Sequence, residues 1–311
     1  MKFLKLVPET PAINFTGRRF LAFAFSGLLV LASISAFGVK GLNLGIDFLG
    51  GILIEVQTEG PADVSQIRSD LGGLGLGDVS IQQFGAENDL LIRVQRQEGG
   101  EKEQQAAIAS VKEALGDRVS EYRRTELVGP TVGQELQEAA LWAVISAVLA
   151  IMVYIWFRFE WQFGVCAIIA LTHDVITTVG LFSVLQMEFN LATVAAVLTI
   201  AGYSINDTVV VFDRVRENMR KYKKMGFAEL FDLSINQTLS RTVMTSFTTL
   251  LALIALVAFG GEVIRGFSVA LIWGVVIGTY SSIALAVPLL LYLRPNRGDE
   301  EEAVPGQEAS A

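Results

Sequence analysis

Long apolar stretches dominate the chain. Three of them, Phe20–Phe37, Ala139–Phe157 and Thr242–Phe259, contain no charged residue. At 1.5 Å per residue each is long enough to cross a hydrocarbon core of about 30 Å. Three more are as apolar but interrupted or extended: Phe163–Gln186 contains His173 and Asp174, Leu191–Phe212 contains Asp207, and Gly266–Leu293 is long enough to tilt. The pattern predicts six membrane-spanning helices. Lys2, Lys5, Arg18 and Arg19 precede the first span, and Ser33–Ala36 has the small residues of a cleavage site. The arrangement is like a signal peptide, but the length of the run favours a retained anchor.

The insert Lys40–Glu138 has a different rhythm. Ile52–Gln57 alternates as a strand, a helical pattern opens at Pro61-Ala62-Asp63 and stops at Gly72, Gly73 and Gly75, and strands at Val79–Phe84 and Leu90–Val94 are joined across Gly85–Asp89. A helix at Glu101–Leu115 stops at Gly116, and Val119–Leu127 alternates again. The order βαββαβ predicts a ferredoxin-like split sandwich. Nothing in the insert pairs a nucleophile with a base, and it has no His and no Gly-rich phosphate loop. It reads as a binding or mechanical module, and the chain as no enzyme. The expected organisation is a polytopic α-helical membrane protein with a small α+β exported domain. Its parts are 1–39 (N-terminus and first span), 40–138 (exported domain), 139–293 (five spans, with a basic connector at 214–241) and 294–311 (an acidic, disordered tail).

Composition sharpens this picture. The 311 residues are 52% hydrophobic and 18% charged, with mean hydropathy +0.49, which excludes an ordinary soluble domain, a disordered chain and a nucleic-acid-binding one. A single Cys166 and a single His173 exclude a disulfide framework and a site with several Cys or His metal ligands, and no cofactor is expected. The net charge of -8 lies wholly in Lys40–Glu138, which has 9 basic and 17 acidic residues, while the remainder has 15 of each. An anionic exported domain would favour basic or unfolded clients. Seven Lys or Arg in Arg214–Arg241 and four before the first span put both termini on the cytoplasmic side and the insert outside. The cluster Arg216, Arg220, Lys221, Lys223 and Lys224 is either a solvated connector obeying that rule or a docking surface for anionic lipid or a cytoplasmic partner.

Polar residues inside the spans are the candidate chemistry. A lone Asp at a helix centre costs about 2.5–3.5 kcal/mol on insertion scales, which a run as apolar as Leu191–Phe212 can carry. Company raises its interest: Asn206 and Thr208 flank Asp207, Arg241 opens the next span, and Thr245, Ser246, Thr248 and Thr249 follow it. Five residues separate Asp207 from Asp213, about 8 Å at helical rise, so Asp207 and Arg241 enter the same half of the membrane. Arg keeps its proton, so it is a movable counter-charge beside a carboxylate that can carry one. A proton moving inward across 100 mV releases about 2.3 kcal/mol, enough to bias a two-state cycle. A permanent ion pair fixing helix register is the structural alternative. Asp174, beside His173, is either a second relay station or one half of a packed hydrogen-bonded pair. The stripe Gly266, Ala270, Gly274, Gly278, Ser282 and Ala286 permits close helix approach, for packing or for sliding. Gly45, Asp47, Gly50 and Gly51 at the mouth of the first span form a hinge candidate.

Four stretches closely resemble the SecF family of the bacterial SecD–SecF translocation factor: Gly45–Gly51 (GIDFLGG), Gly202–Asn218 (GYSINDTVVVFDRVREN), Arg241–Leu251 (RTVMTSFTTLL) and Phe259–Ile283. The resemblance runs in order from about Phe15 to Leu293, and Leu49 departs from it where the family commonly has a small hydroxyl residue. It implies half of an RND-like bundle, a SecD partner supplying six more spans, association with the SecYEG channel and with YajC, and use of the proton-motive force on exported polypeptides. By position, Asp207 and Arg241 match the intramembrane pair linked to proton transport. It also implies a bacterial inner-membrane location with the insert periplasmic. Two other functions fit the pattern: a half-size exporter of small amphiphiles or lipids, and a non-conducting scaffold subunit.

Overall fold

A computed structural model describes residues 11–77, 79–83, 86–260 and 264–296. The acidic tail, Lys2, Lys5, Phe84 and Gly85 lie outside the described residues, as do 261–263. Six helices are long and apolar enough to cross a membrane: α1 (Arg19–Lys40), α5 (Pro130–Arg158), α6 (Trp161–Leu185), α7 (Leu191–Lys221), α8 (Phe227–Phe259), and α9 (Arg265–Ser281) continued by α10 (Val287–Leu293). The buried face is concentrated on α6, α7 and the last span, whereas α1, α5 and α8 are mostly exposed on the isolated chain. Phe163, Phe212, Phe231 and Ile155 fill one core between helices.

Two helices run well past their expected ends. The basic stretch 214–241 is helical except for residues 222–226, since α7 continues to Lys221 and α8 starts at Phe227. Polar side chains zip the two extensions together: Asn218 Nδ2 donates to Ser234 Oγ and to Gln237 Oε1, both at 2.9 Å. The N-terminal segment docks here too, with the Phe15 and Thr16 amides donating to Asp232 Oδ1 at 3.0 and 2.8 Å. The last span contains a π-helical turn, Ser282–Ala286. Pro288 lacks an N–H and its ring crowds the carbonyl four residues back, at Ala284, so the helix widens there.

The insert folds as expected from its pattern. Strands β2 (Gly51–Thr58), β3 (Val79–Gln83), β4 (Asp89–Val94) and β5 (Val119–Val128), with helices α3 (Val64–Gly72) and α4 (Glu101–Leu115), form an antiparallel sheet in the order β3-β4-β2-β5. Alternation decides its two faces. Ile52, Ile54, Val56, Ile81, Leu90 and Ile92 point to one side and pack against α3 and α4 through Ile67, Leu71, Val111 and Leu115. Leu53, Arg93 and Glu126 are register partners on the other side, as are Glu55, Leu91 and Arg124, and this side faces the helix bundle. The Asp63 side chain accepts from the Gln66 amide at 3.0 Å and caps α3.

A small junction ties insert to bundle. β1 (Asn43–Leu44) pairs in parallel with β6 (Glu188–Phe189) in the α6–α7 turn, and α2 (Ile46–Leu49) follows β1. A Cβ on Gly133 of α5 would lie 3.0 Å from the Phe48 carbonyl oxygen, so α5 begins packed against α2. The α5 helix thus starts at Pro130, inside the stretch assigned to the insert.

Candidate functional site

Asp207 sits on α7 where α8 crosses it. Thr242 Oγ1 donates to Asp207 Oδ1 at 2.7 Å, Ser282 lies beside the carboxyl, and Asp207 Oδ2 is buried with no hydrogen bond of standard geometry among the described residues. A carboxylate oxygen without a donor is where a proton adds at least loss, because no existing bond must break. Arg241, one residue before Thr242, is exposed, and no ion pair joins it to Asp207 among the described residues. The permanent ion pair expected as the structural alternative is therefore not formed in this state; Thr242, on the inward side of the helix, takes that contact.

The neighbouring hydroxyls divide into two groups. Thr208 is buried and donates to Ser282 Oγ at 3.2 Å, and Ser246 shares a 2.6 Å hydrogen bond with Thr279, with Tyr203 OH donating to Ser246 Oγ at 3.4 Å. Thr245, by contrast, bonds back to the Arg241 carbonyl at 2.9 Å, and Thr248 and Thr249 bond back to their own helix in the same way. Asn206 is exposed on the chain. The structure thus brings Thr208 and Ser246 into the interhelical polar contacts and leaves Thr245 and Asn206 outside them.

Asp174 is fully buried and completely satisfied. Its Oδ1 lies 2.9 Å from His173 Nδ1, and its Oδ2 accepts from Ser204 Oγ at 2.6 Å and Ser281 Oγ at 2.7 Å. Three helices, α6, α7 and α9, therefore meet on one carboxylate. Ser281 is followed by Ser282, which meets Thr208 beside Asp207, so a row of hydroxyls lies between the two acids. His173 Nε2 is buried with no hydrogen-bond partner among the described residues.

The small-residue stripe explains how these helices come so close. A Cβ added at Gly274 would lie 2.2 Å from Ile200 Cγ1, and one at Gly278 would lie 3.2 Å from Ser204 Cβ. Gly274 and Gly278 of the stripe are spent on α7, within the chain. Sequence reasoning missed Thr242, Ser204, Ser281, Ser282 and Thr279. One signal for Ser282 was present, since it falls on the stripe itself.

The GIDF segment is more anchored than a hinge suggests. Asp47 Oδ2 accepts from the Leu191 amide at 2.9 Å, capping α7 together with Asn190, whose side chain accepts from Thr193 at 3.1 Å. Gly45 is hemmed in, because a Cβ there would lie 2.5 Å from Glu188 Oε1. Gly50 and Gly51 have φ of 71° and 124°, and a Cβ on Gly51 would meet the Val94 carbonyl oxygen at 2.7 Å. Among the described residues no group of His, Cys, Asp and Glu could hold a metal ion.

Comparison with known proteins agrees with this architecture. The family model "Protein export membrane protein SecD/SecF, C-terminal" matches residues 108–296, and the "SecD/SecF GG Motif" model matches residues 35–62. The protein translocase subunit SecF of Rickettsia akari is 48% identical over 92% of this chain and 94% of its own length. That of Cereibacter sphaeroides is 47% identical over 95% of this chain and 94% of its own length. The crystal structure of SecDF from Thermus thermophilus, a translocon-associated membrane protein, superposes with a TM-score of 0.83 at 38% identity. It covers 91% of this chain, which in turn spans 39% of the SecDF chain. With a family model matched over more than half its length and relatives nearly half identical along almost all of it, the chain belongs to the SecD/SecF family of protein export membrane proteins.

Proposed function

We propose that this chain is the SecF-like subunit of a proton-driven export machine, working with SecD at the SecYEG channel of the inner membrane. In this reading the insert is periplasmic, both termini are cytoplasmic, and YajC is a further associate. Asp207 is the proton carrier, Arg241 its mobile counter-charge, and Asp174 with its serines a second station. The observation that carries it is the intramembrane Asp207 held by Thr242, its second oxygen buried with no hydrogen bond of standard geometry among the described residues, and Arg241 standing one residue from Thr242. An Arg on the outer face of a spanning helix is costly in lipid. Exposed Arg241, Asn206 and Thr245 favour a second half-bundle covering this face, the place SecD would take. A half-size exporter or an inert scaffold gains no comparable support.

The test is reconstitution of the chain with its SecD partner in proteoliposomes under an imposed proton gradient. Asp207→Asn and Arg241→Met are expected to abolish gradient-driven proton uptake and gradient-stimulated release of an exported polypeptide, with the complex still assembled. Survival of both activities in both variants would leave only the scaffold function standing.

A further inference from the structure

The insert and the proton-bearing helix are joined by a charge pair that the mechanism above does not use. Arg93 lies on β4, on the sheet face turned to the bundle, and its guanidinium pairs with the Glu188 carboxylate. The side chains are 13% and 24% exposed, so water screens the pair only in part. Arg93 also donates to Gln82 Oε1 at 3.4 Å on the neighbouring strand. Glu188 is held just as firmly. It belongs to β6, whose backbone pairs with β1, and its carbonyl accepts from Thr193 Oγ1 at 3.4 Å inside the first turn of α7. Two residues later Asn190 caps that helix. Asp207 is sixteen residues beyond Leu191 on the same uninterrupted helix, about 24 Å along its axis.

Around the pair the contact is loose. A cavity of about 530 Å³ separates the sheet face from the bundle, lined by Leu53, Glu55 and Leu91 from the sheet, by Met187 and Asn190 from the α6–α7 turn and by Phe267 from α9. The exported domain thus lies over the mouth of α7 with open space beside the pair. The β1–β6 pairing and the Asp47–Leu191 bond also tie this domain to the start of α7, and the Arg93–Glu188 pair adds a charge contact that reaches from the sheet face itself.

We infer that the Arg93–Glu188 pair is the positioning link that passes displacement of α7 to the exported domain. This rests on the reading of Asp207 as the proton carrier. When proton uptake shifts α7, Glu188 moves with the helix and draws β4 through Arg93. Neither side chain touches a proton in transit. Losing the pair therefore uncouples the two events and leaves the proton step intact.

The experiment uses the full chain with its SecD partner in proteoliposomes. Arg93→Gln, Glu188→Gln and the swap Arg93→Glu/Glu188→Arg are compared with Asp207→Asn, and proton uptake and polypeptide release are both measured. Each neutral variant should lower gradient-stimulated release about tenfold, within the range typical of coupling between two sites, while proton uptake stays at the parental rate. The swap should restore release, which loss of fold would not allow. Parental release in both neutral variants, or proton uptake lost together with release, overturns the link while leaving the carrier reading intact. If Asp207→Asn itself retains proton uptake, the carrier reading falls and the link falls with it.

Discussion

Gly274 gives the sharpest test of how the bundle is held together. A Cβ at this position would sit 2.2, 2.5 and 2.7 Å from three side-chain carbons of Ile200, where carbon atoms prefer about 3.5–4.0 Å. Ile200 is 1% exposed and packed with Phe182, Ala196 and Ala270. Its branched Cβ holds χ1 to essentially one rotamer in a helix. The side chain cannot swing away, so α7 and α9 must separate by about 1 Å to restore ordinary carbon contacts. Gly274→Ala should therefore cost about 1–3 kcal/mol, the usual cost of overpacking, and lower the melting temperature of the purified chain by roughly 4–8 °C for a 2 kcal/mol loss. Gly202→Ala on α7 is the control, since nothing lies within 4 Å of its added Cβ. It should hold or raise the melting point, because Ala favours helix over Gly by about 1 kcal/mol. Combining Gly274→Ala with Ile200→Ala should cost less than the sum of the two, as each relieves the other. A Gly274→Ala variant that melts with the parent, or strict additivity with Ile200→Ala, would refute the close-packing argument.

Other consequences are as direct. Ser204→Ala combined with Ser281→Ala leaves Asp174 Oδ2 with neither of its two donors, and thermal unfolding should register about 1–3 kcal/mol of destabilisation per lost donor. Asp47→Ala removes the acceptor for the Leu191 amide. It should cost about 0.5–2 kcal/mol as a lost helix cap, read as faster amide exchange at the start of α7. Ile54 is fully buried in the exported domain, so Ile54→Ala should cost about 2–5 kcal/mol, seen as proteolysis confined to residues 40–128.

Much of this architecture is legible in the sequence. Six apolar runs became six helices, and the alternation in Ile52–Gln57 and Val119–Leu127 matched the paired strands β2 and β5. Periodicity records which side of an element meets apolar surroundings, and lipid or a sheet core leaves that mark in every residue. The same reasoning was blind to the helical extension of 214–241, because amphipathic helix and solvated connector share a polar composition. It was equally blind to the π turn at Ser282, which depends on where Pro288 falls in a helix already packed on both sides.

For the site, the residue types were visible and their partners were not. Asp174, Asp207 and Arg241 stand out because charge is rare in hydrocarbon. Ser204, Thr242 and Ser281 are ordinary residues of spanning helices until a carboxylate from another helix comes within 3 Å of each. Thr245 and Ser246 are adjacent in sequence, yet one bonds back to its own helix and the other crosses to α9. The sequence alone determined the number of spans, the fold of the insert and the charges placed in the membrane, because burial in lipid constrains each residue separately. Which charges meet, and whether Arg241 touches Asp207 or stands off from it, was decided only by tertiary structure, because a contact depends on the rotation and spacing of two helices that no single stretch of chain encodes.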